Sequence, residues 1–160
     1  MSAAFLDHPG RPGAFGALMD ETARASEDLC ALVEAMDEAT WNEQHESDKP
    51  FTASRRAVGE HVVTAARWYA DRIRERLGIE FEQEARRDAL PTPAEFRGKL
   101  AGALRYTEGA IEPLLGKTEK EVTALTFDAG WGVTYDPEMI LEHGVCHVLR
   151  HRRQLERWGR

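Results

Sequence analysis

Cysteine is scarce in this 160-residue chain, which carries only Cys30 and Cys146. The two lie far apart and form no C-x-x-C pair, so the sequence predicts neither a disulfide framework nor a cysteine metal site. Long apolar runs are missing as well: no segment approaches 18 uninterrupted apolar residues, and no basic stretch followed by an apolar core opens the chain. We therefore expect a protein of the reducing cytoplasm, with no signal peptide and no membrane-spanning segment.

Positive charge is also in deficit. The formal net charge is -7 at pH 7, and nucleic acids and anionic membranes are bound mainly by net positive fields. We therefore expect neither as a partner. Arginines do cluster between residues 150 and 160, where cations would suit the negative end of a helix dipole; an anion-binding site is the alternative interpretation.

Helical periodicity dominates what is present. Apolar residues recur at three- and four-residue steps in four stretches, over about residues 14–36, 54–77, 92–114 and 136–159. Gly78 is placed to end the second, and Asp136 with Pro137 to begin the fourth. Thr92, Pro93 and Glu95 predict a capping box at the start of the third.

These stretches predict an all-α fold with a single domain over residues 1–160, since the 42% hydrophobic content allows one ordinary core. Four helices of about 20 residues predict a four-helix bundle. The first and third connections are longer than antiparallel neighbours need, so an up-down-down-up order or another crossover is open. The third connection, with its two glycines around Trp131, also allows a short strand or turn.

Three of the six histidines, His143, His147 and His151, are spaced four residues apart. On a helix this spacing aligns them in one stripe, because each residue advances about 100°. In the second helix His61 lies on a stripe that it shares with Val58, Ala65, Trp68 and Arg72. Two histidines at i and i+4 can hold one metal ion, and a third from a facing helix would leave open positions on it.

The alternative is that these histidines are hydrogen-bonded core residues, although each unsatisfied nitrogen would then cost about 1 to 3 kcal/mol. The segment HVLRH lacks the glutamate of the H-E-x-x-H metalloprotease motif, which argues against that route of peptide hydrolysis. We expect Cys146 to be a small buried residue and Glu60 to be a surface carboxylate. His8 and His45, in irregular segments, are expected to be solvated.

Two segments, VGEHVVTAARWYADRI and HGVCHVLRHRRQLERW, resemble the DinB/YfiT-like metalloprotein superfamily. The second matches the terminal H-x-x-x-H-R-x-Q-L signature at His147 and His151. The resemblance implies a bundle of up-down-down-up order, often dimeric, with a divalent metal held by His61, His147 and His151. It implies that His143 is a neighbour and not a ligand. Three imidazoles suit zinc, nickel, iron or copper, of which we expect zinc or nickel.

The resemblance also implies a range of functions. We expect a metal-dependent enzyme of the thiol-transferase type, which joins a low-molecular-weight thiol to an electrophilic substrate. The alternative is a metal-binding stress-response or structural protein without turnover. Arg72 would bind a carboxylate of the thiol or be a snorkelling surface arginine. Trp68 and Tyr135 would line the pocket or serve only in packing.

Overall fold

The computed structural model describes residues 4–81 and 89–159, and this part of the chain is mostly helical. Six α-helices and two short strands follow one another along it. In chain order they are α1 (Gly13–Glu34), α2 (Glu38–Asn42), α3 (Arg55–Leu77), α4 (Phe96–Ile111), α5 (Glu119–Thr123), β1 (Phe127–Asp128), β2 (Thr134–Tyr135) and α6 (Pro137–Trp158). The expected all-α class is confirmed. Arg160 of the C-terminal arginine group lies outside the described residues.

The predicted ends of the second and fourth helical stretches are confirmed. Ser54 precedes α3, and its hydroxyl accepts a hydrogen bond from the backbone N–H of Ala57. Gly78 ends α3 in the left-handed conformation with φ 67°, which a side chain would disfavour. At the start of α6, the Asp136 carboxylate accepts from the backbone N–H groups of Glu138 and Met139.

The third stretch departs from expectation at both ends. Residues Pro93–Glu95 form a 3-10 turn, and the Thr92 hydroxyl donates to the Glu95 carboxylate at 3.3 Å without capping the backbone. The capping box predicted there is therefore wrong. The box that forms lies in the third connection, between Thr118 and Glu121 of α5. The helix also ends earlier, because residues Glu112–Leu114 form a second 3-10 turn.

Both long connections contain structure of their own. In the first, Trp41 of α2 is fully buried and its Nε1–H donates to the carbonyl of Leu90. Gly59 lets this ring approach α3, since a Cβ there would lie 2.6 Å from it. In the third, β1 and β2 form a two-stranded antiparallel hairpin with Trp131 in its loop. Each connection is thereby held against the helices that carry the histidines.

The four long helices share one core. Helix α3 packs on α4 and α6, and α1 packs on α6 and α4. The buried face of α3 differs from the predicted stripe, since it is centred on Val62, Tyr69 and Ile73. Only Val58 of the predicted stripe is buried; its other members, from His61 to Arg72, are half-buried at the margin of that face. His61 therefore lies where the core meets solvent.

Among the described residues, none of the helices is both long enough and apolar enough to cross a membrane.

Candidate metal centre

His61, His147 and His151 lie together although helix α3 carries the first and α6 the other two. The Nε2 atom of His147 is 3.0 Å from Nε2 of His61 and 3.2 Å from Nε2 of His151. One nitrogen from each ring lies within 4.8 Å of the other two. The i, i+4 spacing on α6 aligns two of the rings, and the packing of α3 on α6 supplies the third. This cluster could hold a divalent metal ion.

Burial keeps these imidazoles neutral. Burial first, and then the charge of neighbouring histidines, lowers the pKa of His61 to about 4 and that of His147 to about 2. Burial also lowers the pKa of His151, although the hydrogen bond that its ring makes to Gln154 acts in the opposite direction. A neutral imidazole has a lone pair that can bind a metal, whereas imidazolium has none. The donors are therefore in the required protonation state at neutral pH.

The hydrogen bonding of the cluster fits an ion better than it fits the bare rings. His147 Nε2 faces two other ring nitrogens at hydrogen-bond distance, and a single N–H on it would serve one of them. His151 Nδ1 lies 2.9 Å from Oε1 of Gln154, so its N–H donates there and its Nε2 lone pair faces the cluster. Such a bond to the distal nitrogen is how proteins commonly orient a metal-binding histidine. Gln154 follows His151 by three residues, and its role in orienting that ring was not predicted from the sequence.

Aromatic and apolar side chains enclose the cluster. Phe51, in the turn before α3, packs on the His61 ring with the ring centres 4.7 Å apart. The Tyr69 ring meets His147 edge to face at 5.9 Å. Behind His147 lies a cavity of about 30 Å³ whose wall is mostly apolar, with Val62 and Leu141 in it. The inner side of the site is therefore mostly apolar, whereas His61 and His147 are half-buried at its outer margin. Nothing in the sequence pattern around Phe51 had pointed to this contact.

His143 lies beside the cluster and outside it. Its ring centre is 6.1 Å from that of His147, and its Nδ1 lies 3.2 Å from the hydroxyl of Tyr135. Burial, followed by the charge of Arg150, lowers the pKa of His143. Trp131 stacks on it at 5.7 Å and also contacts Trp68 at 5.5 Å. Trp68 and Tyr135, for which pocket lining and packing alone were both open, belong to an aromatic wall next to the three histidines.

Arg72 is not brought to the histidine cluster. It follows His61 by three turns, or roughly 16 Å of helix rise. Its guanidinium pairs with Glu75 at 2.6 Å and lies over the rings of Trp68 and Phe81. It also lines a separate, polar pocket of about 410 Å³ with Thr126. Binding of a thiol carboxylate by Arg72 stays a prediction.

Two expectations about single residues are wrong. Cys146 is exposed on α6. His45 is not solvated: it stacks on Trp158 at 4.1 Å and lies 2.9 Å from the Arg55 guanidinium. Glu60, expected at the surface, is 23% exposed; its carboxylate pairs with Arg56 and accepts from the backbone N–H of Leu90. His8 is exposed as expected.

Comparison with known proteins adds no relative: no family model matches the chain, and neither the curated proteins nor the solved structures contain a match.

Proposed function

We propose that this chain binds a divalent metal ion through His61, His147 and His151 and acts as a metal-dependent thiol transferase. The convergence of three Nε2 atoms at one margin of the core carries the proposal. A triad of neutral imidazoles leaves positions on the ion unfilled by protein, which is typical of catalytic sites and not of structural ones. Zinc and nickel are the metals proposed, because both suit imidazole.

The fold we propose is a four-helix bundle of up-down-down-up order, as in DinB/YfiT-like proteins. Two helix contacts support a parallel α3 and α4: Gly59 lies near Phe96, and further along Arg74 donates to the carbonyl of Tyr106. The Arg152–Asp28 ion pair joins the later parts of α6 and α1, which supports a parallel pair there too.

Antiparallel contacts complete the proposed order. At the start of α3, Arg55 donates to the carbonyl of Trp158 at the end of α6, whereas later in α3 Tyr69 packs on His143. Helices α1 and α4 are also antiparallel. Arg97, near the start of α4, pairs with Glu34 at the end of α1, and Arg11, just before α1, pairs with Glu112, just after α4. Since α3 and α6 run in opposite directions, His61 comes opposite the C-terminal half of the histidine stripe.

In the proposed reaction a thiol sulfur forms a bond to an electrophilic carbon, whose leaving group departs, and the thiol proton passes to water. When bound, the ion supplies a positive charge that lowers the pKa of a thiol placed next to it. The chain's part is positional: the histidines hold one end of the site, and mostly apolar side chains line it behind His147. The half-buried margin admits the substrates, and we place the reaction in the cytoplasm.

A metal-binding protein without turnover is the second candidate. It is favoured by the way the triad connects two helices, since an ion there would tie α3 to α6. A structural zinc site, however, takes four protein ligands as a rule. The next histidine, His143, is turned to Tyr135. An exchangeable ligand on the bound ion separates the two candidates, because only the enzyme needs one.

Elemental analysis of the purified protein tests metal binding, with alanine variants of the triad as the decisive comparison. His61→Ala, His147→Ala and His151→Ala should each lose most of the metal, while His143→Ala should retain it. Full metal content in His61→Ala would show that α3 takes no part in the site. The metal-loaded protein is then assayed with cysteine, glutathione, bacillithiol and mycothiol and an electrophile. Metal binding without transfer to any of them would favour the second candidate.

A further inference from the structure

Next to the three histidines, a chain of hydrogen bonds runs from the hairpin into helix α6. The Nε1–H of Trp131 donates to the Tyr135 hydroxyl at 3.4 Å, and that hydroxyl lies 3.2 Å from Nδ1 of His143. Tyr135 is buried, so its hydroxyl proton needs an acceptor. His143 Nδ1 is the acceptor available in the described part of the chain.

This hydrogen-bond chain selects one tautomer of His143. A neutral imidazole carries its proton on one nitrogen and accepts on the other. If the Tyr135 hydroxyl donates to Nδ1, the ring proton is on Nε2. With the ring proton on Nδ1 instead, the Tyr135 hydroxyl would receive two N–H donors, from Trp131 and His143, and its own proton would have no acceptor.

His143 Nε2 has no hydrogen-bond partner among the residues that the structure describes. It is also not one of the fully buried side-chain atoms that lack a partner there, so it is accessible. Its N–H is therefore open to a molecule entering the half-buried margin. The His143 ring is 6.1 Å from that of His147, so such a molecule would lie beside the triad. A fixed donor with no protein acceptor, next to a cluster able to bind a metal, is what an orienting group for a substrate requires.

The ring of Trp131 provides a surface next to this donor. It is 51% exposed, although it stacks on His143 with an angle of 25° between the planes. The Trp68 ring, tilted by 45° to that of Trp131, bounds the same side. An exposed indole held by its own N–H and by two neighbouring rings is a rigid platform for planar groups.

We propose that Trp131, Tyr135 and His143 form a binding site for planar, conjugated electrophiles that bear an acceptor oxygen. The planar group lies on Trp131, and the oxygen accepts from Nε2–H of His143, which orients the substrate toward the metal side. This assignment rests on the proposed function, and it specifies the chemical class of the electrophile in the proposed thiol transfer. Tyr135 acts through His143 and is a positioning residue.

The tautomer is tested by nitrogen NMR on zinc-loaded protein with labelled histidine. His143 should carry its proton on Nε2, and in Tyr135→Phe this preference should weaken or be lost, with zinc content unchanged. A proton on Nδ1 in the wild type would overturn the proposal. So would an unchanged tautomer signal in Tyr135→Phe, because Tyr135 would then have no positioning role.

Binding is tested with coumarin, a planar molecule with a carbonyl oxygen, against naphthalene, which has similar fused rings and no acceptor. The indole N–H signal of Trp131 reports both. Glutamine places an amide N–H near the position of Nε2 and asparagine near that of Nδ1. We expect coumarin to bind about five-fold more weakly to His143→Asn and within about two-fold of wild type to His143→Gln. Naphthalene should bind wild type, His143→Asn and His143→Gln alike. Trp131→Ala, followed through the ligand's own proton signals, should bind both ligands more weakly.

Equal coumarin affinity in wild type and His143→Asn, or no coumarin binding to the wild type, would overturn the substrate class. A Trp131 signal that shifts with protein concentration alone would also overturn it, since a second copy would then cover the platform. None of these readouts needs turnover. Failure of thiol transfer therefore rejects the proposed function separately from the result on His143.

Discussion

His147 shows what burying a titratable ring does to stability. Its pKa is lowered to about 2, first by burial and then by the neighbouring histidines, whereas a solvated histidine titrates near 6.5. Between these two values the unfolded chain binds a proton at this position and the folded chain does not. Lowering the pH through this window therefore favours unfolding of the metal-free protein.

We predict that metal-free protein loses stability between pH 7.5 and pH 5, and that His147 accounts for up to about 2 kcal/mol of the loss. Chemical unfolding at the two pH values, in the presence of a chelator, measures the difference. His147→Gln is the control, because glutamine fills a similar volume and does not titrate. The same loss in wild type and His147→Gln would contradict the shifted pKa.

Single residues differ in how far the sequence could place them. The histidines of α6 were predictable, because a four-residue step fixes their common face on any helix. Cys146 and His45 were not. Exposure of Cys146 depends on whether another helix covers its side of α6, and the position of His45 depends on Arg55 and Trp158, which are distant in sequence. Local spacing carries no information about such contacts.

At the level of the element, the end of α3 depends on one backbone conformation. Gly78 has φ 67°, a region that costs a residue with a side chain about 1 kcal/mol. We predict that Gly78→Ala destabilises the fold by about 1 kcal/mol in urea unfolding.

Gly98 is the matched control for this substitution. It lies in α4 with ordinary helical geometry, and a Cβ there would meet nothing within 4 Å. Since alanine is the better helix former, Gly98→Ala should stabilise by roughly 0.5 to 1 kcal/mol. Equal effects of the two substitutions would show that the left-handed cap is not needed.

Arg55 joins the start of α3 to the end of α6. It is 4% exposed, and its guanidinium contacts Glu43, His45 and the carbonyl of Trp158. Arg55→Met should lower the free energy of unfolding by about 2 to 4 kcal/mol, because it removes a buried charged donor from several acceptors at once. Arg56→Met, which removes a half-exposed pair with Glu60, should cost no more than about 1 kcal/mol. A loss of about 1 kcal/mol or less in Arg55→Met would contradict the role of Arg55 in connecting α3 to α6.

The long elements were largely predictable, and the short ones were not. Asp136 and Gly78 mark helix ends through their own backbone and side-chain chemistry, which acts locally. Helices α2 and α5 have five residues each, too few for an apolar period to be recognised. Thr92 failed as a capping residue because its hydroxyl bonds to the side chain of Glu95 instead of receiving a backbone N–H.

For the whole molecule, the question is which face of the helices remains uncovered. On the outer side of α6, Met139 and Leu149 are 42% and 41% exposed, and Cys146 lies between them. Met139 and Cys146 are seven residues apart and Cys146 and Leu149 three, so all three lie on one side of the helix. We propose that the chain forms a homodimer and that this side of α6 is the contact between its two copies.

We predict that light scattering at micromolar concentration gives twice the mass of one chain, and that Leu149→Glu shifts the protein toward the monomer. A charge placed in a buried contact loses its hydration without a partner, so dimer affinity should fall at least about ten-fold. Leu115→Glu is the control, because Leu115 is 39% exposed but lies outside α6. It should leave the mass unchanged. A wild-type protein with the mass of a single chain would reject the dimer, and equal dissociation by both variants would reject α6 as its interface.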